Sequence, residues 1–183
     1  KLISEINLIR SINNNNIEHF KKIFLIDTKL FCLSSARYFE CMYFVMADED
    51  SGINERAISY FINQIAHALL YLAGHHIVLR SLMAKTIWVD KNLNVTLTGF
   101  SQARQIQDPY RVCNLPYHWK LYDFPTHIRY YKSWVAPEIL NQTIDGHDCR
   151  SDIYSLGVTA IELLLGVNPF HHYPIFKLLQ IKN

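Results

Sequence analysis

The stretch YLAGHHIVLRSLMAKTIWVD, Tyr71 to Asp90, decides how this chain is read. It opens on the end of a helix. From Asn54 onward Ile58, Phe61, Ile62, Ile65, Ala68, Leu69 and Leu72 follow the i, i+3, i+4, i+7 rule, and Gly74 stands where a C-terminal cap belongs. Ile77 to Leu79 and Thr86 to Val89 are short β-prone runs, and a third, Asn94 to Thr98, follows across the polar turn Asp90 to Asn92. A long core helix therefore delivers a loop, Arg80 to Lys85, framed by short strands. Working outward, Ile3, Ile6, Ile9 and Ile12 recur every three residues beside Leu2 and Leu8, a helical face that carries Glu5. Asn13 to Asn16 reads as a loop, and Phe20 to Ile26 with Leu30 to Leu33 as a tight hairpin turning at Asp27, Thr28 and Lys29. From Ser101 to Val135 periodicity fails, yet eight large rings lie there, Tyr110, Tyr117, Trp119, Tyr122, Phe124, Tyr130, Tyr131 and Trp134; so many aromatics point to an ordered segment packed under the lobe or on a partner. Ile153, Leu156, Ala160, Leu163 and Leu164 mark a second core helix, stopped by Gly166 and Pro169.

Composition bounds the function. With 18 Lys plus Arg against 16 Asp plus Glu the formal charge is +2, which supplies no field for a nucleic-acid or anionic-membrane partner. Half the 183 residues are hydrophobic and only six are Gly and six Pro, the profile of one packed core. No apolar run long enough for a membrane span and no signal-peptide pattern at Lys1 to Glu5 is visible, so a soluble intracellular protein is expected, cytoplasmic with nuclear residence left open. Cys32, Cys41, Cys113 and Cys149 lack any Cys-x-x-Cys spacing, which predicts buried free thiols rather than zinc ligands. The pairs His75/His76 and His171/His172 have no evident third ligand and read as loop histidines, so no metal is expected.

The order of elements, and the residues at its joints, resemble a protein kinase domain. Leu79, Arg80 and Ser81 stand at the family's H-R-D; eighteen residues past Ser81, Gly99, Phe100 and Ser101 stand at D-F-G; Ala136, Pro137 and Glu138 match A-P-E outright; and SDIYSLGV, Ser151 to Val158, matches the following helix with its buried Asp152. Four motifs in order at family spacing are a specific signal. The resemblance implies an α+β, bilobal kinase-like fold cut short at both ends. Residues 1–36 would be a partial N-lobe of helix C, two strands and hinge, and residues 37–183 a partial C-lobe with a degenerate catalytic loop and activation segment. Glu5 falls at the helix C glutamate, so the glycine-rich loop and its lysine strand would precede Lys1, and the lower C-lobe helices would follow Asn183.

The chemistry of these positions is a chemistry of absences. Kinases hold Mg²⁺ on the D-F-G aspartate and the loop asparagine, where Gly99 and Thr86 stand here. Glycine offers no ligand, and a lone hydroxyl suits Mg²⁺ poorly. Ser81 occupies the base position, and serine is not basic near neutral pH, a loss of about 10² to 10⁴ in rate. Met83 replaces the loop lysine with an uncharged thioether. No catalytic residue is expected. Ser81 reads more simply as a turn residue satisfying a nearby backbone group, Thr86 as an ordinary β-branched residue at a strand edge, Lys85 as a solvated surface cation, Asp90 as a turn residue, and Asp152 and Glu138 as structural carboxylates. By the same resemblance Ser34, Ser35 and Ala36 form the gatekeeper and hinge, and Glu5, Trp88 and Thr98 complete a nucleotide-pocket remnant that Trp88 is expected to fill. No cofactor is expected, with metal-free ATP left open for a full-length form.

Within the kinases the likeness is to the STRAD pseudokinases, the sterile-twenty-related adaptors. It is carried by Arg80–Ser81, Gly99, the tripeptide Asp123–Phe124–Pro125, Trp134 before A-P-E, and the run Lys132 to Gly157; Leu79, Met83 and Trp88 depart from that group. The resemblance implies an inactive adaptor that activates a client Ser/Thr kinase of the liver kinase B type, locked by a helical-repeat scaffold. Tyr110, Tyr117, Trp119, Tyr122, Phe124 and Trp134 are the expected contact residues. An atypical active Ser/Thr kinase and a truncated, non-functional fragment stand as alternatives.

Overall fold

The computed structural model describes residues 2–34, 53–106, 121–125 and 128–182. Helix α1 (Leu2–Ser11) buries Ile6 and Ile9, continues that apolar face through Ile12 just past its end, and packs on the tight turn Phe100–Gln102. The hairpin β1 (Phe20–Ile26) and β2 (Lys29–Ser34) is antiparallel, with Ile26 opposite Lys29 across the two-residue turn. Asp27 takes the left-handed conformation that such turns demand, at φ +52°. Most of this ribbon is exposed, Cys32 included. The expected burial of that thiol is therefore corrected: among the described residues this ribbon pairs with no further strand, and Cys32 stays exposed on it.

Helix α2 (Glu55–Gly74) begins at Asn54, whose side chain accepts from Arg56 N, and buries Ile58, Phe61, Ile65, Ala68, Leu69 and Leu72, the stripe the periodicity marks. It packs on β3 (Ile77–Val78), on β5 (Val95–Leu97) and on α4 (Arg150–Leu165). Strands β4 (Ile87–Val89) and β5 form an antiparallel pair, and β3 pairs with β6 (Arg104–Gln105). The predicted strand over Thr86 to Val89 starts one residue late, because Ala84–Thr86 winds into a single tight helical turn. Two short helices, α3 (Pro137–Leu140) and α5 (Ile175–Ile181), enclose a second small core of Val135, Ile139, Leu140 and Leu178. Gly166 ends α4 at φ +73°, as an αL cap. Among the described residues no helix is long and apolar enough to cross a membrane.

The asparagine loop does more than connect. Leu97 N donates to Asn16 O at 2.7 Å and Glu18 N to Leu97 O at 2.8 Å, so the chain after α1 runs parallel to β5 for one bridge. Asn16 Nδ2 donates to Val95 O (2.8 Å) and to Gln64 Oε1 (3.1 Å). Gln64 Oε1 also accepts from Val95 N at 2.9 Å, while its amide donates to Leu93 O at 3.0 Å. One side chain on α2 thus satisfies three groups of the loop and of β5, and Val95 lies in the core. Gln64→Ala is expected to lower the unfolding free energy by about 1–3 kcal/mol, because it strands a buried N–H. Asn63→Ala, one position round and exposed, should change it by less than about 0.5 kcal/mol in the same urea titration.

Candidate functional site: a catalytic loop closed on itself

The site is assembled from the first turn of α4. Asp152, buried there, accepts from Leu79 N at 2.7 Å and from Arg80 N at 2.8 Å, one N–H on each carboxylate oxygen. Those bonds hold Arg80 at φ +62°, a left-handed conformation disfavoured for a side chain of this size. The Arg80 side chain is wholly buried. Its Nε donates to Gln102 O at 2.8 Å and its Nη1 to Asp123 Oδ1 at 2.9 Å. Arg104 Nε approaches the other Asp123 oxygen at 3.5 Å. Burial lowers the affinity of the Arg80 guanidinium for its proton, and Asp123 opposes that effect.

Ser81, Thr86 and Gly99 stand where the base and the metal ligands would be, and the structure brings the three together. Ser81 Oγ donates to Gly99 O at 2.6 Å, with Leu79 O at 3.3 Å. Thr86 Oγ1 donates to Met83 O at 2.9 Å, with Ser81 O at 3.2 Å, and accepts from Met83 N at 3.2 Å. Gly99 has φ +82°, and a Cβ there would lie 2.8 Å from Thr86 Cγ2 and 3.3 Å from its Cβ. The threonine methyl therefore occupies the space a side chain at 99 would need. Thr98 N and Oγ1 both donate to Thr86 O, at 2.9 and 3.1 Å. The hydroxyls spend their protons on backbone carbonyls, and among the described residues no group of three His, Cys, Asp or Glu side chains is placed to hold a metal ion. Leu79 is fully buried, Met83 half-buried and Lys85 exposed.

The remaining predicted residues are dispersed. Glu5 is half-buried on α1, Ser34 half-buried at the end of β2, and Trp88 half-buried on β4 opposite Thr96; Ser35 and Ala36 lie outside the described residues. Asp90 lies in its turn, accepting from Asn92 N and from Asn94 N and Nδ2. Of the expected contact residues, Tyr110, Tyr117 and Trp119 also lie outside the described residues. Tyr122 is 73% and Phe124 38% exposed. They sit on a segment pinned twice, by Asp123 on Arg80 and by a bridge in which Leu121 N donates to His147 O (2.7 Å) and His147 N to Leu121 O (2.9 Å). Gly146, at φ +66°, makes that approach possible, since a Cβ there would meet Leu121 O at 2.7 Å. Half-buried Glu138, with Tyr122, Asp123, Phe124 and His147, lines a cavity of about 240 Å³ behind the bridge. Trp134 is turned inward, where its Nε1 donates to Glu162 Oε2 at 2.8 Å; the same oxygen accepts from Ala84 N at 3.2 Å. Glu162 was not singled out by sequence, although a carboxylate in the run IELLL, between apolar core positions, was its signal.

Burial pushes the Asp152 carboxyl up to about 6, against its two N–H donors and the nearby Arg80 charge. The native state then binds this proton more tightly than the unfolded chain does, so between about pH 4 and pH 6 the native state holds the extra proton and stability falls as pH rises through that window. Asp152→Asn should remove this part of the slope, read as the unfolding free energy at pH 4, 5 and 6.

Comparison with known proteins agrees with this geometry. A profile of the protein kinase domain matches residues 1–180. The STE20-related kinase adapter protein alpha of Homo sapiens is 32% identical over 188 residues, covering 99% of this chain and 41% of that protein. Its Gallus gallus counterpart is also 32% identical, covering 99% and 46%. The STE20-related kinase adapter protein strd-1 of Caenorhabditis elegans is 27% identical over 176 residues, covering 95% and 43%. This chain spans less than half the length of each. A family match that runs almost end to end, over a fold in which the helix-borne aspartate still holds the loop at residues 79–80, makes this chain a member of the protein kinase domain family, where it is similar to the STE20-related kinase adapters.

Proposed function

We propose that this chain is a catalytically inactive kinase-like domain that acts as an adaptor, binding a client Ser/Thr kinase and favouring its active conformation. The observation that carries the reading is the mutual satisfaction of Ser81, Thr86 and Gly99. A site that had merely lost one ligand would leave an empty, solvated place; here both hydroxyls are bonded to backbone carbonyls and the Thr86 methyl fills the space a side chain at residue 99 would need. The relatives are named as kinase adapters, and activation by such a protein requires only that it bind the client's active state more tightly than the inactive one. Residues 1–36 and 37–183 are read as the two partial lobes. The client is taken to be of the liver kinase B type and the complex to include a helical-repeat scaffold, in the cytoplasm or nucleus, without nucleic acid, membrane or bound cofactor.

Tyr122 and Phe124 suit the contact, because exposed rings between the two pins at Leu121 and Asp123, or directly after the second, lose little conformational freedom on docking. Trp134 is assigned to the interior instead, holding Glu162.

Two experiments test this reading. Purified protein incubated with labelled ATP, Mg²⁺ and peptide substrates should transfer no phosphate above background, and Mg²⁺-ATP should not raise its melting temperature; chelator-sensitive transfer would refute the proposal. Gly99→Asp alone is expected to destabilise by about 1–3 kcal/mol through the contact with Thr86 and the positive φ, and Thr86→Ala in the same chain to recover part of that loss. In the second experiment, Tyr122→Ala with Phe124→Ala should weaken client-kinase binding at least tenfold in a pull-down titration while leaving the melting temperature within a degree or so of wild type. Unchanged affinity would remove this face from the interface.

A further inference from the structure

We propose that Lys182 is the positioning residue of the Lys132–Val135 segment, a charge-dependent clasp that ties the end of α5 to the stretch of chain leading into Ala136–Glu138. Its Nζ donates to Val135 O at 2.7 Å, to Ser133 O at 2.9 Å and to Lys132 O at 3.3 Å. The ammonium also stands 5.0 Å from the ring centre of Tyr154, on α4, and 4.9 Å from that of Phe170. Among the described residues no carboxylate pairs with it. The cation is therefore held by three carbonyl dipoles and two ring faces, and the partners it satisfies belong to one short segment.

The fourth carbonyl of that segment is filled too, by Ser155 Oγ donating to Trp134 O at 3.0 Å. Contacts in the other direction reinforce the pairing: Lys132 Nζ donates to Tyr173 O at 2.6 Å and Ser133 Oγ to Phe170 O at 3.3 Å. The small core around Leu178 already holds α5 against α3, but apolar contact is non-directional and sets no register. The three bonds to Lys182 do, because an ammonium's donors reach acceptors only over a narrow range of distance.

This clasp depends on charge. Burial pushes the ammonium down to about 8, so it becomes neutral within a mild pH range, and a neutral amine has two donors for three carbonyls. The other ionisable groups on the surrounding elements are Tyr131 just before the segment and Lys132 in it, Glu138 on α3, Arg150, Asp152, Tyr154 and Glu162 on α4, His171, His172 and Tyr173 in the loop before α5, and Lys177 on α5 itself; Glu162 is the one that also bonds the segment, through the Trp134 indole. Burial pushes the Tyr154 phenol up, which keeps it neutral over the same range. His171 Nδ1 is engaged at Asn168 O, 2.6 Å away, and Lys132 with the Tyr173 carbonyl. The inference concerns the conformation of this chain alone, so it stands or falls independently of the adaptor reading.

Amide hydrogen exchange in the intact protein tests it. The probes are the Trp134 and Val135 amides, which donate to Tyr131 O at 2.9 and 3.1 Å, with the amides of α2 as the internal control and rates corrected for the intrinsic effect of pH. In wild type, protection at Trp134 and Val135 should fall at least tenfold between pH 7 and pH 9.5 while α2 is unchanged. Lys182→Arg, which stays charged, should keep its protection across that range, and Lys182→Met should lack it already at pH 7. A wild-type profile that is flat over this range, or Lys182→Met as protected as wild type, overturns the proposal. Should Lys182→Met fail to fold, the wild-type profile set against that of Lys182→Arg still decides.

Discussion

The structure depends on one buried carboxylate. Asp152 gives one oxygen to Leu79 N and the other to Arg80 N, and by doing so holds an arginine in a left-handed conformation at the centre of the molecule. Burying an anion is costly unless its lone pairs are met, and here they are met by two backbone donors with the Arg80 charge close by. Everything at the site follows from the turn so formed. With its backbone fixed, Arg80 points at Gln102 and Asp123, and Ser81 points at Gly99. One carboxylate thereby sets the relation of helix α4, the turn after β5 and the segment of residues 121–125.

The positions of the base and of the metal ligands carry serine, threonine and glycine, while the carboxylate that holds the loop backbone is in place. The family's base and one of its metal ligands are carboxylates and the other ligand is an amide, groups that must be kept solvated or paired, and each position is filled here by a residue that is self-sufficient. Ser81 and Thr86 are hydroxyls that bond to carbonyls within five residues or across the turn, and Gly99 brings no side chain at all. Two neighbouring charged side chains are used in the same manner. Glu162 bridges Ala84 N and the Trp134 indole, and Lys182 covers the carbonyls on the far side of Trp134. The stretch between the pinned segment and α3 is thus gripped between an anion on α4 and a cation at the end of α5, neither of them paired with an opposite charge in a described contact.

Much of this was legible in the order of residues. The stripe from Ile58 to Leu72, the hairpin about Asp27 and the cap at Gly166 are local patterns whose physical cause lies within one or two turns of chain, and the structure places them where the sequence does, whereas Gly74, expected as a C-terminal cap, is the last helical residue and His75 caps α2. The spacing of Ser81, Gly99, Glu138 and Asp152 was enough to recognise the family. The roles of Asn16, Gln64, Glu162 and Lys182 were not legible, because each acts on partners 28 to 79 positions away and carries no periodic signature. Trp134 was expected at a contact surface for the same reason. An aromatic next to a motif looks the same in sequence whether its ring faces a partner or a buried carboxylate.

Sequence alone determined the elements, the family and the missing catalytic groups, since these depend on residue type and on spacing along the chain. Tertiary structure decided that the vacated positions close on one another, that Tyr122 and Phe124 face outward while the Trp134 indole bonds Glu162, and that Lys182 bonds the carbonyls of the chain before α3. Those outcomes rest on distances between residues far apart in the chain, and only the packed backbone brings such residues within hydrogen-bonding reach.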